Sequence, residues 1–450
     1  MPSSFFNDML QTLTERSRSL LGLPRGALAG GQLPALAHQL LSRRGEASGV
    51  ALARSILDTY RAASVEARRA FLLDLAESFG PDPVRLAQAV EAWRQDPDVA
   101  TVAALSEAAE SRRQELIRRL NLAPGGTAAL VRMREDLLEM LPEEPRLKVV
   151  DADFRHLFSS WFNRGFLVLR PIDWTTPANI LEKIIRYEAV HEIRDWNDLR
   201  NRLEPTDRRC FAFFHPQLVD EPLIFVEVAL TATSPAAIAP LLAAERTPLP
   251  AKDATTAVFY SISNTQKGLA GVSFGHFLIK QVAEDLQREL PNLKTFVTLS
   301  PVPGFASWLR RERDNPTTLD AETLAGLAAL DEPGWHEDPA RAEDARRAVL
   351  PAAAAYFLRA KGRNGRPLDP VARFHLGNGA RLDRLNPLGD VSPKGLRQSH
   401  GLMVNYCYDL DDIEANHEAY AEKGVVASAR SVQRALPPAV PAREAPAEAP

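Results

Sequence analysis

Residues 256–305 read TAVFYSISNTQKGLAGVSFGHFLIKQVAEDLQRELPNLKTFVTLSPVPGF. AVFYSIS, rich in aromatic and β-branched residues, reads as a strand. NTQKGLAG is a glycine-containing turn. VSFGHFLIKQVAEDLQREL carries apolar residues at three- and four-residue spacing and reads as an amphipathic helix, and TFVTLS is a second strand. In this order the turn presents backbone N–H groups and a helix N-terminus, a ready site for a phosphate. The second strand ends on Ser300, and Pro301 and Pro303 then fix two φ angles and remove two donors. An anion cradle beside a fixed hydroxyl points to an enzyme for a phosphate-bearing substrate.

On the N-terminal side of this stretch, FLVLRPI (166–172) is β-like, and ILEKIIRYEAVH and WNDLRNRL read as helices. CFAFFH (210–215) and LIFVEVAL (223–230) are apolar runs bounded by Pro, Asp and Glu, which marks them as strands. On the C-terminal side, residues 313–366 are charged, Ala-rich and helical in character, and VARFHLGNG (371–379) and LMVNYCY (402–408) read as strands. From Phe166 the order is β, α, α, β, β, β, α, β, helices, β, β, which fits one mixed sheet rather than a βαβ alternation. It is similar to the acetyltransferase-like (GNAT) topology. There a loop after the fourth strand binds the pyrophosphate of coenzyme A, and the pantetheine arm enters where strands four and five splay. Residues 1 to about 145 differ in texture: LARSILDTYRAA, VEARRAFLLDLAESFG and PVRLAQAVEAWRQ are helical by spacing, and Asp82-Pro83, Asp96-Pro97 and Pro142 punctuate them. The expected fold is therefore α+β. An all-helical domain (1–147) precedes an acetyltransferase-like mixed-sheet catalytic domain (148–435), and a Pro/Ala-rich tail (436–450) reads as disordered.

At 450 residues two domains are expected. A net charge of −4 gives no general attraction to nucleic acid or anionic membrane. Two cysteines, Cys210 and Cys407, argue against a disulfide framework and a structural zinc site and favour the cytoplasm. No apolar run is long enough to span a membrane.

Each motif carries a bland alternative. In Gln266-Lys267-Gly268-Leu269-Ala270-Gly271, glycine admits a diphosphate close to the backbone, first-turn N–H groups donate to it, and Lys267 adds charge; otherwise this is an ordinary tight turn. Gly271-Val272-Ser273-Phe274-Gly275 matches the hydrolase elbow G-x-S-x-G with His375 downstream. Yet Asn264 to Ala270 separate the strand from Ser273, and no HGGG-type loop precedes it. Ser300 can hold a carboxylate or polarise a carbonyl, or merely bond local backbone. Phe374-His375-Leu376-Gly377-Asn378-Gly379-Ala380 sets a histidine at a strand end before a glycine turn, suited to proton transfer or to a structural role. His191, His215, His276 and His400 are less well framed. An acyltransferase, a serine hydrolase using Ser273 and a non-enzymatic helical scaffold are the competing classes.

The words HLFSSWF (156–162), YEAVH (187–191), RRCFAFFHP (208–216), EPLIFVEVALT (221–231), FYSISNTQKGLAGV (259–272), FGHFLIKQVAEDLQREL (274–290), TLSPVPGF (298–305), FHLGNGA (374–380) and GLMVNYCY (401–408) together resemble the malonyl-CoA decarboxylase family. The resemblance implies conversion of malonyl-CoA to acetyl-CoA and CO2 in fatty acid metabolism, with no metal and no cofactor. The helical domain would serve homo-oligomerisation, as dimer or tetramer, with no nucleic-acid or membrane partner. The family's catalytic serine falls on Ser300, its histidine on His375 and an active-site tyrosine on Tyr408. Its acyl-CoA segment falls on Ala270, Gly271, Val272, Ser273, Phe274, Gly275 and His276, adjoining Gln266, Lys267 and Gly268. This chain departs from the family at Ser273, where members carry an acidic residue, and in lacking the peroxisomal tripeptide of animal members. An exchangeable Ser273 argues against the elbow.

Overall fold

Helical spacing and capping residues shape the first part of the chain. The computed structural model describes residues 30–42, 45–272, 274, 278–362 and 365–438; Ser273, Gly275 and His276 lie outside the described residues, as do 439–450. Helices run over Leu33–Ser42, Glu46–Ala62, Val65–Ser78, Pro83–Gln95, Val99–Ala109, Arg112–Asn121, Gly126–Met140 and Lys148–Trp161. Asp82 accepts from the N–H groups of Val84 and Arg85, with Pro83 in the first turn, and Asp98 forms a capping box with Thr101. Leu57, Leu72, Leu116, Leu130 and Phe154 are among its buried residues.

The chain divides into two compact units. The first is Met1–Val168 with Phe214–Glu221 and Gln266–Phe274; the second is Leu169–Phe213, Pro222–Thr265 and Gly275–Pro450. The second holds an eight-stranded mixed sheet: β1 (Val168–Pro171), β2 (Arg208–Phe214), β3 (Pro222–Thr231), β4 (Thr256–Asn264), β5 (Thr295–Thr298), β6 (Ser300–Pro301), β7 (Arg381–Asn386) and β8 (Met403–Cys407). The order is β1-β2-β3-β4-β5-β8-β6, with β7 also on β8. The fold class is thus the expected α+β one, a helical N-terminal region followed by a mixed sheet. The run PLIFVEVAL makes β3 a strand buried along almost its whole length. Ala229, Val258, Val297, Leu299 and Met403 pack as part of one core under the sheet.

Two irregularities position the site. β3 and β4 are antiparallel, but one step from Glu227 to Val228 opposes two steps from Ser261 to Phe259. Tyr260 is therefore the extra residue of a β-bulge, which re-aims a side chain. β4 and β5 are parallel only over Thr256–Phe259 and Thr295–Thr298, so β4 continues to Asn264 beyond its partner.

Three local expectations are corrected. VARFHLGNG does not form a strand: Pro370–Gly377 is a helix, and His375 sits in its last turn. Asp369 caps that helix, accepting from Ala372 N–H at 2.8 Å, and Pro370 supplies a first-turn φ. Ser300 does not end β5. β5 stops at Thr298, and Ser300 opens β6, paired with Val404 of β8. Gln266–Gly271 does not open the long helix. Lys267–Leu269 is a 3-10 turn, and the helix begins at Leu278.

Candidate active site

Within the second unit a cavity of about 240 Å³ opens where β4 outruns β5, and its lining includes Tyr260, Asn264, Ser300, Pro301, Phe374 and His375. Ser300 Oγ lies 3.2 Å from His375 Nε2, and His375 Nδ1 lies 2.7 Å from the Tyr408 hydroxyl. The structure brings these three residues together, although 75 positions separate Ser300 from His375. Ser300 also donates to Thr298 Oγ1 at 2.8 Å, and the same oxygen accepts from Tyr406 N–H at 3.1 Å. The Tyr406 ring stacks on the imidazole, centroids 4.6 Å apart and planes 24° from parallel. Tyr408 N–H bonds Phe296 of β5 at 2.8 Å.

Proton positions follow from satisfaction. Burial pushes the Tyr408 phenol well above its ordinary value, so it keeps its proton. Among the described residues, donation to His375 Nδ1 is the bond that pairs that buried O–H. The imidazole is neutral, because burial lowers His375 to about 3. Nε2 therefore carries the ring proton and donates to Ser300, whose own proton goes to Thr298. The result is one directed chain from Tyr408 through His375 and Ser300 to Thr298.

The surroundings hold this chain in place. The word HLGNGA closes the His375 helix as a Schellman motif: Ala380 N–H bonds His375 C=O at 3.1 Å, and Gly379 N–H bonds Leu376 C=O at 3.0 Å. Gly379 has φ +83°, and a Cβ there would lie 2.1 Å from Ile413 C=O. Thr298 C=O accepts from Asn405 Nδ2 at 2.7 Å, and Asn405 Oδ1 accepts from Arg384 and Asn386 at 3.0 and 2.8 Å. Elsewhere in the second unit, Glu188 accepts from Ser261 Oγ and from the N–H groups of Val190 and His191, all within 2.8 Å. Arg202 and Glu227 form an ion pair at 2.7 Å with side chains 5% and 0% exposed. The Arg202 and Arg208 guanidiniums each lie 6.0 Å from the Tyr260 ring centroid. Burial lifts Glu227 to about 7, with Arg202 pulling the other way. Sequence reading missed Thr298, Tyr406, Glu188 and the Arg202–Glu227 pair. Only Glu227, a lone acid inside an apolar strand, carried a visible signal.

The turn residues Gln266, Lys267, Gly268, Ala270, Gly271, Val272 and Phe274 belong to the first unit. The 3-10 turn engages the N–H groups of Leu269, Ala270 and Val272 with Gln266, Lys267 and Leu269 carbonyls. Gly268 is obligatory, since a Cβ there would lie 2.0 Å from Val131 C=O. Lys267 is largely exposed, 3.9 Å from Glu135. The elbow serine, Ser273, lies outside the described residues, as do Gly275 and His276.

Among the described residues no helix is long and apolar enough to cross a membrane, and no cluster of His, Cys, Asp and Glu could hold a metal ion. Comparison with known proteins gives a consistent result. Residues 165–445 match the profile of the malonyl-CoA decarboxylase C-terminal domain and residues 79–162 that of its N-terminal domain. Malonyl-CoA decarboxylase, mitochondrial, of Anser anser anser is 36% identical over 397 residues, covering 80% of this chain and 78% of its own. The crystal structure of malonyl-CoA decarboxylase from Rhodopseudomonas palustris is 68% identical, with a TM-score of 0.87 over 90% of this chain and 100% of its own. The Agrobacterium vitis structure of the same name is 58% identical, with a TM-score of 0.86 over the same shares.

Proposed function

Because this chain belongs to the malonyl-CoA decarboxylase family, we propose that it converts malonyl-CoA to acetyl-CoA and CO2, with Ser300 orienting the malonyl group and His375 protonating the product enolate. The observation that carries this reading is the directed chain Tyr408–His375–Ser300 on the cavity wall.

Loss of CO2 leaves an electron pair that the thioester carbonyl delocalises as an enolate. That species is more basic at carbon than the imidazolate a neutral ring leaves behind, so a neutral Nε2–H suffices as the acid. Tyr408 can restore a proton at Nδ1 as Nε2 gives one up, and solvent repays the proton consumed in each turnover. Ser300, fixed in place by β6–β8 pairing, turns its O–H from Thr298 to the malonyl group when substrate binds.

Gln266 to His276, whose turn Gln266–Val272 lies in the first unit, is the acyl-CoA segment in this reading. The helices before it serve oligomerisation. Pro83–Gln95 has no buried residue, and Val84, Trp93, Val99 and Val102 are exposed on it and its neighbour Val99–Ala109. A self-association surface of this kind fits a dimer or tetramer. The family's chemistry needs no cofactor, and the assigned location is the cytoplasm, although the Anser relative is named mitochondrial.

Purified protein given malonyl-CoA is expected to release CO2 and acetyl-CoA in equal amounts without added metal or ATP. Release of malonate and free CoA would indicate hydrolysis instead, and acceptor-dependent release of CoA would indicate acyl transfer.

A further inference from the structure

The turn at 266–272 is held by an arginine from the helices of its own unit. Arg134, 1% exposed, donates to Gly268 C=O at 2.7 Å and to Ala270 C=O at 2.9 Å, and its Nε bonds Asp151 at 2.9 Å. A fork bonded to two carbonyls of one turn fixes that turn's conformation. One helical turn beyond Asp151, Arg155 is exposed, and its Nε would lie 3.8 Å from a Cβ on Gly271. No acidic or hydrogen-bonding partner engages the Arg155 guanidinium among the described residues, whereas Asp151 is taken by Arg134. Burial holds Arg134 below the usual guanidinium range, Asp151 raises it, and the charge of Arg155 adds to the lowering, so the two cations sit near each other. Lys267 brings a third, largely exposed cation to the same turn. A glycine backbone at Gly271, which lets an oxyanion approach, and an uncompensated guanidinium beside it are what a phosphate ester requires.

We propose that Arg155 is a phosphate-binding residue for the coenzyme A nucleotide and that Arg134 is the positioning residue that shapes the turn it serves. The helical region thereby contributes to substrate binding as well as to self-association. This rests on the reading of Gln266–His276 as the acyl-CoA segment.

The test compares malonyl-CoA with malonyl-pantetheine, which has the same reacting group and no phosphate. Arg155→Gln, an exposed change, is expected to raise KM for malonyl-CoA roughly tenfold, the loss of about one charge-assisted hydrogen bond. It should leave kcat, and KM for malonyl-pantetheine, unchanged. Malonyl-dephospho-CoA then locates the contact. A retained effect assigns it to the diphosphate and a lost effect to the 3′-phosphate, either of which supports the proposal. Arg134→Lys keeps the charge but not the fork and is expected to show the same selectivity for malonyl-CoA. If that variant fails to fold, Asp151→Asn, which loosens Arg134, reads the same effect. An Arg155→Gln enzyme with unchanged KM, or with equal losses on both substrates, overturns the proposal alone. A wild-type enzyme with equal KM for malonyl-CoA and malonyl-pantetheine overturns the underlying reading of the segment.

Discussion

His375 Nδ1 lies 2.7 Å from the hydroxyl of Tyr408, and this bond decides which imidazole nitrogen faces the cavity. Tyr408→Phe removes the donor and leaves Nδ1 buried and unpaired, at a cost of about 1–3 kcal/mol in stability. The ring is then free to change tautomer and lose its proton from Nε2. Turnover is expected to fall by about 10- to 100-fold with KM for malonyl-CoA little changed. Urea denaturation and steady-state kinetics check the two parts separately.

Acid should destabilise the protein through its buried histidines. Burial lowers His375 to about 3 and His191 to about 4, whereas an unfolded imidazole titrates near 6.5. Between those values the unfolded chain binds protons that the folded chain refuses, so unfolding takes up protons and stability falls as pH drops. The contribution is complete above about pH 6.5 and is lost towards pH 3. His375→Asn should therefore lose less stability than wild type between pH 7 and pH 5, measured as denaturation midpoints. Equal losses would contradict the burial of a neutral imidazole.

Gly379 closes the His375 helix with φ +83° and no room for a Cβ. Gly379→Ala is expected to cost at least about 2 kcal/mol, combining backbone strain with a clash against Ile413 C=O. It should also depress turnover, because His375 C=O takes part in the same motif. Gly326→Ala is the control. Its added Cβ meets Ala348 Cβ at an ordinary 3.5 Å, and thermal denaturation should show little change.

The Arg202–Glu227 pair predicts a non-additive cycle. Arg202→Met alone leaves Glu227 buried without a partner and should cost about 3–5 kcal/mol. Replacing both residues with methionine should recover much of that loss. Additive effects would show that the two side chains do not depend on each other.

Much of the architecture was legible because burial and periodicity agree. LIFVEVAL reads as a strand buried on both faces, and Asp82-Pro83 caps a helix and opens its first turn. VARFHLGNG misled because a short apolar run before glycines looks like a strand by hydropathy alone. The better signal was Asp369-Pro370, a cap followed by a first-turn proline, with Gly379 past the end. Ser300 was read from its strand end and flanking prolines, Tyr408 through family words alone. Their meeting with His375 depends on three-dimensional pairing of β6 and β8 with a helix, which no local pattern encodes.

Arg134 and Arg155 were invisible for a different reason. Arginines on amphipathic helices are ordinary solvent-facing residues, and nothing in REDLLEM or DADFRHLF marks one as a fork on a distant turn. Tyr406 likewise looked like another strand aromatic, although its ring covers the imidazole.

The central claim is that His375 and Ser300 perform the chemical step and do not merely shape the pocket. The most direct measurement is kcat for malonyl-CoA in His375→Asn and Ser300→Ala, paired with acetyl-CoA affinity by calorimetry. The account predicts turnover reduced by about 100-fold or more with affinity retained in both variants. Wild-type turnover in both variants, with acetyl-CoA still bound, would contradict it.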